Sequence, residues 1–303
     1  MKKEETDIRV IESISQLHRL LHLPKPEHPL VSLIHLEIIA DSPQLGHERI
    51  IYPFFQICMK KNFEGKLRYG QNYYDFDEGV LSFIAPGQLL ASDVVAHEGW
   101  VFLIHPDFLQ GYPLARTIRE YGFFSYESTE ALFVSSKEQQ LLEAILGQIE
   151  TEYRANLDSH SQAIIITQIE LLLHYVERFY TRQFITRKKV NNDLLSKLEN
   201  VLFSYFHGDQ VMEKGLPTVE FVAGELGLSP HYLSDLLRNM TGQNAQQHIQ
   251  NKVIERAKSI LSTTNLSVGE IAYQLGFKYP QSFNKFFKNK TNLSPLQFRQ
   301  SFN

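Results

Sequence analysis

The sequence predicts an α+β chain of more than one domain. An antiparallel β-barrel with accessory helices comes first, and an all-α domain of two helix-turn-helix motifs joined by a linker helix follows. Short apolar runs separated by turn residues occupy residues 30–105, which is typical of barrels and sandwiches. From residue 108 onward the apolar spacing becomes helical. Near the C-terminus one apolar pattern occurs twice, 49 residues apart.

Composition limits the class of protein. A length of 303 residues suggests two domains, and 43% hydrophobic with 21% charged residues is typical of a globular chain. The single cysteine, Cys58, excludes an intramolecular disulfide and fits a reducing compartment. The N-terminus lacks the apolar core of a signal peptide, and no apolar run is long enough to span a bilayer. We therefore expect a cytoplasmic protein with no membrane partner.

Charge is unevenly distributed along the chain. The net charge is −4, yet residues 244–303 contain eight basic and only two acidic side chains. Binding to nucleic acid requires a local basic face and not a basic whole. A solvated helix face would explain the same lysines, so the charge pattern supports DNA binding only together with the repeated motif.

The first segment, residues 8–23, predicts one helix that ends before Pro24. Its apolar face is formed by Ile11, Ile14, Leu17, Leu20 and Leu21. His18 and His22 stand at i, i+4, a spacing found in zinc sites. Since no catalytic glutamate or third ligand accompanies them, we expect both to be structural.

Six runs after this segment predict strands, separated by turn signals such as Pro86-Gly87. They are Val31–Ile39, Ile50–Lys60, Lys66–Tyr69, Gly79–Ile84, Leu89–Val94 and Trp100–His105. Barrels of this kind often bind a small ligand at the mouth. The strand pattern does not identify which residues would contact that ligand.

Helical periodicity follows the strands. We expect one or two short helices over Phe108–Tyr121, an aromatic loop over Phe123–Phe133, and longer helices over Ser136–Tyr153 and Ser159–Phe184. The two longer helices either close the barrel or pair with a second subunit. The polar, basic residues 185–192 predict an interdomain linker, and Asp193–Phe206 the first helix of the last domain.

The repeated pattern has the spacing of one helix face. Val219, Val222, Ala223 and Leu226 recur as Val268, Ile271, Ala272 and Leu275. Each set is followed by a glycine, Gly227 or Gly276, and then by a second amphipathic segment. A short helix, a glycine turn and a second helix outline a helix-turn-helix, whose second helix enters the DNA major groove.

Helix caps support both copies. Ser229-Pro230 predicts the start of one second helix, and Thr241-Gly242 its end. Ser267 and Glu270 form a capping box in the other copy. Pro280 opens its second helix, Phe283, Phe286 and Phe287 face inward, and Asn292 takes the turn position of Gly242. Ser294-Pro295 caps a last short helix.

These residues carry a family resemblance. The segment from Leu226 through Pro230 to Ser234, the linker Val253–Lys258, and Glu270–Phe277 with Phe283, Phe287 and Ser294-Pro295 resemble an AraC/XylS-type transcriptional regulator. The match covers about the last third of the chain. It implies readout helices at about Pro230–Asn239 and Pro280–Asn289, bridged by a linker helix at Ala245–Leu261.

The resemblance also implies a domain organisation and a set of partners. Residues 1–184 would form a cupin-like sensor and dimerisation domain, 185–192 a linker, and 193–303 the DNA-binding domain. The expected partners are a double-stranded DNA operator, a small-molecule effector, RNA polymerase and a second copy of the chain. Relatives commonly dimerise through helices such as those predicted at residues 136–184, so we favour dimerisation.

An enzymatic barrel is the less favoured alternative. Enzymatic cupins hold a metal with a His-x-His pair, and this chain has none: His35, His47, His97 and His105 are scattered. Gly-x-Ser-x-Gly elbows, phosphate-binding loops and Cys-x-x-Cys pairs are missing from the sequence. Cys58 lies in an apolar strand, where an inert buried thiol is expected. We therefore predict no catalytic residues, no metal and no cofactor.

The predicted DNA-contacting residues lie on the second helices and the turn before each. They are Ser229, His231, Tyr232, Ser234, Arg238, Lys278, Tyr279, Gln281, Ser282, Asn284, Lys285 and Lys288. Gln and Asn can bond adenine edges and Lys can reach guanine, whereas Lys278, Lys288 and Lys290 are expected at phosphates.

Asp235 departs from the family, because many relatives have a basic residue at this position. Its carboxylate either accepts a hydrogen bond from cytosine or forms a helical pair with Arg238, and we favour the pair. Three functions remain: a ligand-responsive regulator, an enzyme, and a DNA-binding protein whose barrel only dimerises or docks a partner. The first is preferred.

Overall fold

The computed structural model describes residues 8–39, 49–61, 67–69, 72–74, 79–91, 98–127, 130–155, 158–186, 188–208 and 210–301. The chain divides into two compact units, Met1–Gln183 and Phe184–Asn303. The described helices include none with the length and hydropathy that a membrane span requires. The predicted linker at residues 185–192 falls where one helix ends at Thr186 and the next begins at Lys188. Its role as a linker stays a prediction.

The N-terminal unit contains ten short strands in its described part. They are β1 Ile8–Val10, β2 Val31–His35, β3 Arg49–Ile51, β4 Phe55–Lys61, β5 Leu67–Tyr69, β6 Asn72–Tyr74, β7 Val80–Ile84, β8 Leu89–Ala91, β9 Glu98–Ile104 and β10 Leu132–Phe133. A five-stranded antiparallel sheet has the order β10-β7-β4-β9-β2, β1-β3-β8 form a second sheet, and β5 pairs with β6. Among these residues no closed barrel is formed, so the predicted cupin-like barrel is not confirmed.

The centre of the large sheet is buried on both faces. In β4, Ile57 and Met59 have no exposed surface and Cys58 between them is 3% exposed. Burial raises the pKa of the Cys58 thiol, which keeps it protonated. The predicted inert cysteine therefore agrees with its position. A continuous apolar run of this kind is typical of a strand covered on both sides.

The first predicted helix is partly wrong. Ile8–Val10 is a strand that pairs parallel with β3, and helix α1 covers only Ile14–Leu20. The hydroxyl of Ser13 accepts from the Gln16 N–H and so starts the helix there. His18 is buried, with Nδ1 2.7 Å from the Pro24 carbonyl and Nε2 2.9 Å from the Ser32 hydroxyl. Both ring nitrogens thus have protein partners, as expected for a structural histidine.

Two predicted strands are shorter than the sequence indicates. Ile50–Lys60 is interrupted, because β3 ends at Ile51 and β4 starts at Phe55. Pro53 lies between them and has no N–H to donate to a ladder. Strand β2 ends at His35 and a 3₁₀ turn, Leu36–Ile38, follows.

Helices α2 Leu114–Thr117, α3 Ser136–Arg154 and α4 Ser161–Thr186 complete the unit. The predicted aromatic loop contains β10, which the sequence missed because the strand is only two residues long. Side chains of α4 hold it: Gln183 accepts from the Phe133 N–H at 2.9 Å and donates to the Ala131 carbonyl at 3.2 Å. Arg182 donates to the Phe133 carbonyl and to Glu138. An amide side chain therefore completes hydrogen bonds that a further strand would supply.

The described part of the C-terminal unit is all helical. Its helices are α5 Lys188–His207, α6 Gln210–Lys214, α7 Val219–Leu226, α8 Pro230–Thr241, α9 Ala245–Thr263, α10 Val268–Gln274, α11 Pro280–Thr291 and α12 Pro295–Gln300. The predicted second helices and linker helix are confirmed, with ends within about two residues of the expected ones.

Two apolar clusters form the core of this unit. One joins α5, α7, α8 and the start of α9, with Leu198, Val222, Leu233, Leu237 and Ile249 among its members. The other joins the rest of α9 to α6, α10, α11 and the end of α5, and five of its fourteen buried members are aromatic. Helix α9 therefore belongs to both clusters.

Candidate nucleic-acid interface

We call α7–α8 the first motif and α10–α11 the second motif. Their first helices end with the same hydrogen bond, because the N–H of Leu228 donates to the Ala223 carbonyl and that of Phe277 to the Ala272 carbonyl, each at 2.9 Å. Gly227 and Gly276 precede these donors with φ of +68° and +86°. The two turns thus begin with one backbone geometry, which a left-handed glycine allows.

The turns then differ by one residue. Ser229 alone precedes α8, and its hydroxyl accepts from the Tyr232 N–H. Lys278 and Tyr279 precede α11, and the Tyr279 side chain makes no cap hydrogen bond. Corresponding residues are therefore 49 apart before the turn and 50 apart after it.

The ends of the readout helices repeat the same bonds. Thr241 Oγ1 donates to the Leu237 carbonyl, and Thr291 Oγ1 to the Phe287 carbonyl, each at 2.8 Å. A left-handed residue follows, Gly242 in one case and Asn292 in the other. This confirms the expected role of Asn292.

Helix α11 separates its buried and exposed residues cleanly. Phe283 and Phe287 have no exposed surface and Phe286 is partly buried against the same core. The outward face is exposed and polar, and it comprises Gln281, Ser282, Asn284, Lys285 and Lys288. All the predicted contact residues of this helix therefore lie on one accessible surface.

Helix α8 divides its predicted contact residues. His231 and Arg238 are exposed, and Ser234 is partly exposed. Tyr232 is only 1% exposed and packs edge-to-face on Phe184 at 5.3 Å. Ser229 is 4% exposed and serves as the N-cap. Tyr232 and Ser229 therefore lie away from the outward face, because Tyr232 is part of the core and Ser229 caps the start of the helix.

Asp235 and Arg238 form the favoured helical pair. Nη1 of Arg238 donates to Oδ1 of Asp235 at 2.7 Å, and the side chains are 56% and 26% exposed. The Asn239 amide donates to the Asp235 carbonyl at 2.9 Å. The acidic residue of α8 is thus held within the outward face of that helix.

Exposed aromatic residues lie in the turn before α11 and on α10. Tyr279 is 56% exposed, and the Lys278 ammonium lies 5.7 Å from its ring centroid. Tyr273 on α10 is 53% exposed, and it is not among the predicted DNA-contacting residues. Its signal is present in the sequence, because an aromatic side chain stands outside the apolar face of that helix.

Ionisable groups in and beside the motifs have shifted pKa values, among them Glu270 and His248. Hydrogen bonds from the Ser267 hydroxyl and backbone N–H lower the pKa of the Glu270 carboxyl. Burial lowers the pKa of His248, whose Nε2 lies 2.8 Å from Thr241 Oγ1. The Glu270 shift thus arises from the capping box of α10, whereas the His248 shift arises from burial. Among the described residues no cluster of His, Cys, Asp and Glu could hold a metal ion.

Paired motifs on a shared helix, with one polar face on each second helix, define a double helix-turn-helix DNA-binding unit. Residues 222–301 match a family model described as a helix-turn-helix domain. The C-terminal region thus resembles AraC-type helix-turn-helix domains.

Similar stretches occur in an HTH-type transcriptional regulator, a histidine kinase and a two-component response regulator. A 139-residue stretch is 30% identical to the uncharacterized HTH-type transcriptional regulator YfiF of Bacillus subtilis, covering 46% of this chain and 41% of that protein. A 118-residue stretch is 28% identical to Histidine kinase P4 of Formosa agariphila, covering 39% and 8%. The structure of the C-terminal domain of the response regulator yesN from Fusobacterium nucleatum has 30% identity, coverage of 34% and 93%, and a TM-score of 0.30. The chain spans less than half the length of either curated relative.

Proposed function

We propose that the chain is a sequence-specific transcription regulator that places α8 and α11 in successive major grooves on one face of double-stranded DNA. The observation that carries the proposal is the position of α9 in both cores. Ala245 and Ile249 pack in the first motif, whereas Val253, Ala257 and Leu261 pack in the second. A helix shared in this way holds the motifs at a fixed distance.

The length of α9 fits the repeat of DNA. Its 19 residues span about 28 Å at 1.5 Å per residue. Equivalent positions on one face of B-DNA are about 34 Å apart. A rigid spacer of this length supports simultaneous contact by both motifs.

Base contacts in this proposal come from the exposed polar side chains of the readout helices. On α11 these are Gln281, Ser282, Asn284 and Lys285, whose amide and ammonium groups suit adenine and guanine edges. On α8, His231, Ser234 and Arg238 have the corresponding role. Ser229 and Tyr232 are not part of the proposed interface because they are buried.

Phosphate contacts come from basic residues at the margins of these faces. Lys278, Lys288 and Lys290 are exposed, and Tyr279 beside Lys278 offers a hydroxyl to the same backbone. Eight of ten charged residues from position 244 onward are basic. This excess supports DNA attraction although the whole chain is acidic.

The N-terminal unit, in this proposal, is a cupin-like sensor that binds a small molecule and joins two copies of the chain, and DNA-bound copies contact RNA polymerase. Its antiparallel sheet and long helices α3 and α4 support this assignment. A thermal-shift screen of metabolites tests it, because a ligand that prefers the native state raises Tm. If no small molecule raises Tm, the unit acts only in dimerisation or partner docking.

The decisive experiment selects binding sites from a pool of random duplexes with the full chain. The variant Gln281→Ala with Lys285→Ala should lose specific binding to the selected site. Each base contact contributes roughly 1–3 kcal/mol, so the double change should cost at least roughly 30-fold in affinity. Lys137→Ala with Gln140→Ala is a matched control, since it removes the same residue types from an exposed stretch of α3. Unchanged specificity in the first variant would refute α11 as the main reader.

A further inference from the structure

Helix α8 carries an acidic residue, Asp235, at an outward position where α11 carries Lys285. We propose that Asp235 is a positioning residue: it fixes the Arg238 guanidinium so that α8 reads one guanine in the major groove. This inference rests on the proposed function of the C-terminal unit. It goes further by assigning a base-specific role to an acidic residue that phosphate would repel.

The geometry of the pair supports this role. One guanidinium nitrogen of Arg238 bonds Asp235 at 2.7 Å, and the Arg238 side chain remains 56% exposed. Arginine has five N–H donors in a planar fork, so one carboxylate contact leaves donors for the O6 and N7 acceptors of guanine. The pair therefore leaves Arg238 competent to bind a base.

Ordering of the Arg238 side chain before binding reduces the entropy that is lost when the protein binds DNA. A free arginine side chain loses rotamer entropy when it is immobilised. Since Asp235 already restrains Arg238 in the free protein, less of this entropy is lost on binding. The restraint also selects among contacts, because a held guanidinium cannot follow phosphates as freely as an unrestrained one.

The second motif is an internal comparison. Fifty residues further on, Asp235 and Arg238 correspond to Lys285 and Lys288. Two ammonium groups repel each other and bind as point charges without a fixed fork. The charge reversal at this outward position supports recognition of DNA by different means in the two motifs.

The test repeats the duplex selection with Asp235→Ala, Arg238→Ala, Arg238→Lys and the double Asp235→Ala, Arg238→Ala variant. We expect Asp235→Ala and Arg238→Ala to lose preference at the same base pair, by roughly 5- to 150-fold for Arg238→Ala. The double variant should lose no more than Arg238→Ala alone, because the two residues act as one unit. Arg238→Lys keeps the charge and should lose the base preference while retaining most nonspecific affinity.

Other outcomes overturn the proposal in distinct ways. If Asp235→Ala tightens binding to every sequence alike, Asp235 only repels phosphate. If it loses preference at a base pair where Arg238→Ala retains it, Asp235 reads cytosine directly. A wild-type chain that selects no sequence would refute the proposed function itself, whereas a selective chain indifferent to Asp235 would refute only this inference. Exposed i, i+3 pairs contribute little to stability, so the variants should fold, and unchanged circular dichroism checks this.

Discussion

The two helix-turn-helix motifs share a backbone design but differ in their cores and outward faces. In the first, Leu233 and Leu237 fill the core, whereas Phe283 and Phe287 occupy the corresponding positions of the second. The outward position held by Asp235 in one is held by Lys285 in the other. The hydrogen bonds that end the helices are thus preserved, while the N-caps of α8 and α11 and their core and outward side chains diverge.

This difference separates what builds a motif from what it recognises. The helix ends depend on a few backbone-directed groups, such as Thr241 and Thr291, which make equal bonds in both copies. Outward side chains make few contacts with the core and are free to change. We therefore expect the two motifs to read unlike half-sites with the same backbone placement.

The largest expected effect tests whether the turn glycines are equivalent. An added Cβ at Gly276 would lie 2.7 Å from the Gly215 carbonyl carbon, whereas at Gly227 it would meet nothing within 4 Å. Gly276→Ala should destabilise by about 2–4 kcal/mol, from left-handed strain plus a backbone clash. Gly227→Ala should cost only the strain, about 1–2 kcal/mol. Urea unfolding of the full chain measures both, and equal losses would show that the close approach to Gly215 is unimportant.

A smaller effect concerns the caps of the readout helices. Ser229→Ala removes the cap of α8 and should destabilise that helix by about 1 kcal/mol. Tyr279→Ser supplies α11 with a cap hydroxyl that it lacks and should stabilise it by a similar amount. Native-state hydrogen exchange of α8 and α11 amides resolves the two helices within one protein. Slower exchange in α8 after Ser229→Ala would contradict the assigned cap.

The smallest effect concerns nonspecific attraction. Lys290 corresponds to Met240, so Lys290→Met and Met240→Lys exchange one charge between the motifs. The first should reduce the slope of log affinity against log salt by about 1, and the second should increase it by about 1 if both helices lie at phosphates. Filter binding across salt concentrations gives both slopes. A change in base preference after Lys290→Met would instead show that Lys290 contacts a base and not a phosphate.

Local signals predicted the C-terminal unit well. Helix α8 begins after Ser229 and α11 at Pro280, because capping hydroxyls and prolines act within one turn of chain. The readout face of α11 also followed from spacing, since Phe283 and Phe287 point to the core every fourth residue. Local spacing did not predict the burial of Tyr232, because Phe184, against which it packs, is 48 residues earlier in the chain.

The N-terminal unit was less predictable. Ile8–Val10 pairs with β3 some forty residues later, and β10 depends on Gln183 fifty residues later. Such strands have weak local signals, because their hydrogen bonds come from distant partners. The arrangement of the described strands in three sheets, where one barrel was predicted, has the same cause.

The duplicated motif, its caps, the linker helix, the Asp235–Arg238 pair and the polar face of α11 were all predictable from local sequence, because they depend on helical spacing and contacts within a few residues. The sharing of α9 between two cores and the burial of Tyr232 became evident only in the folded structure. Burial and side-chain pairing depend on which elements meet in space. Periodicity along the chain does not specify which helices and strands pack together.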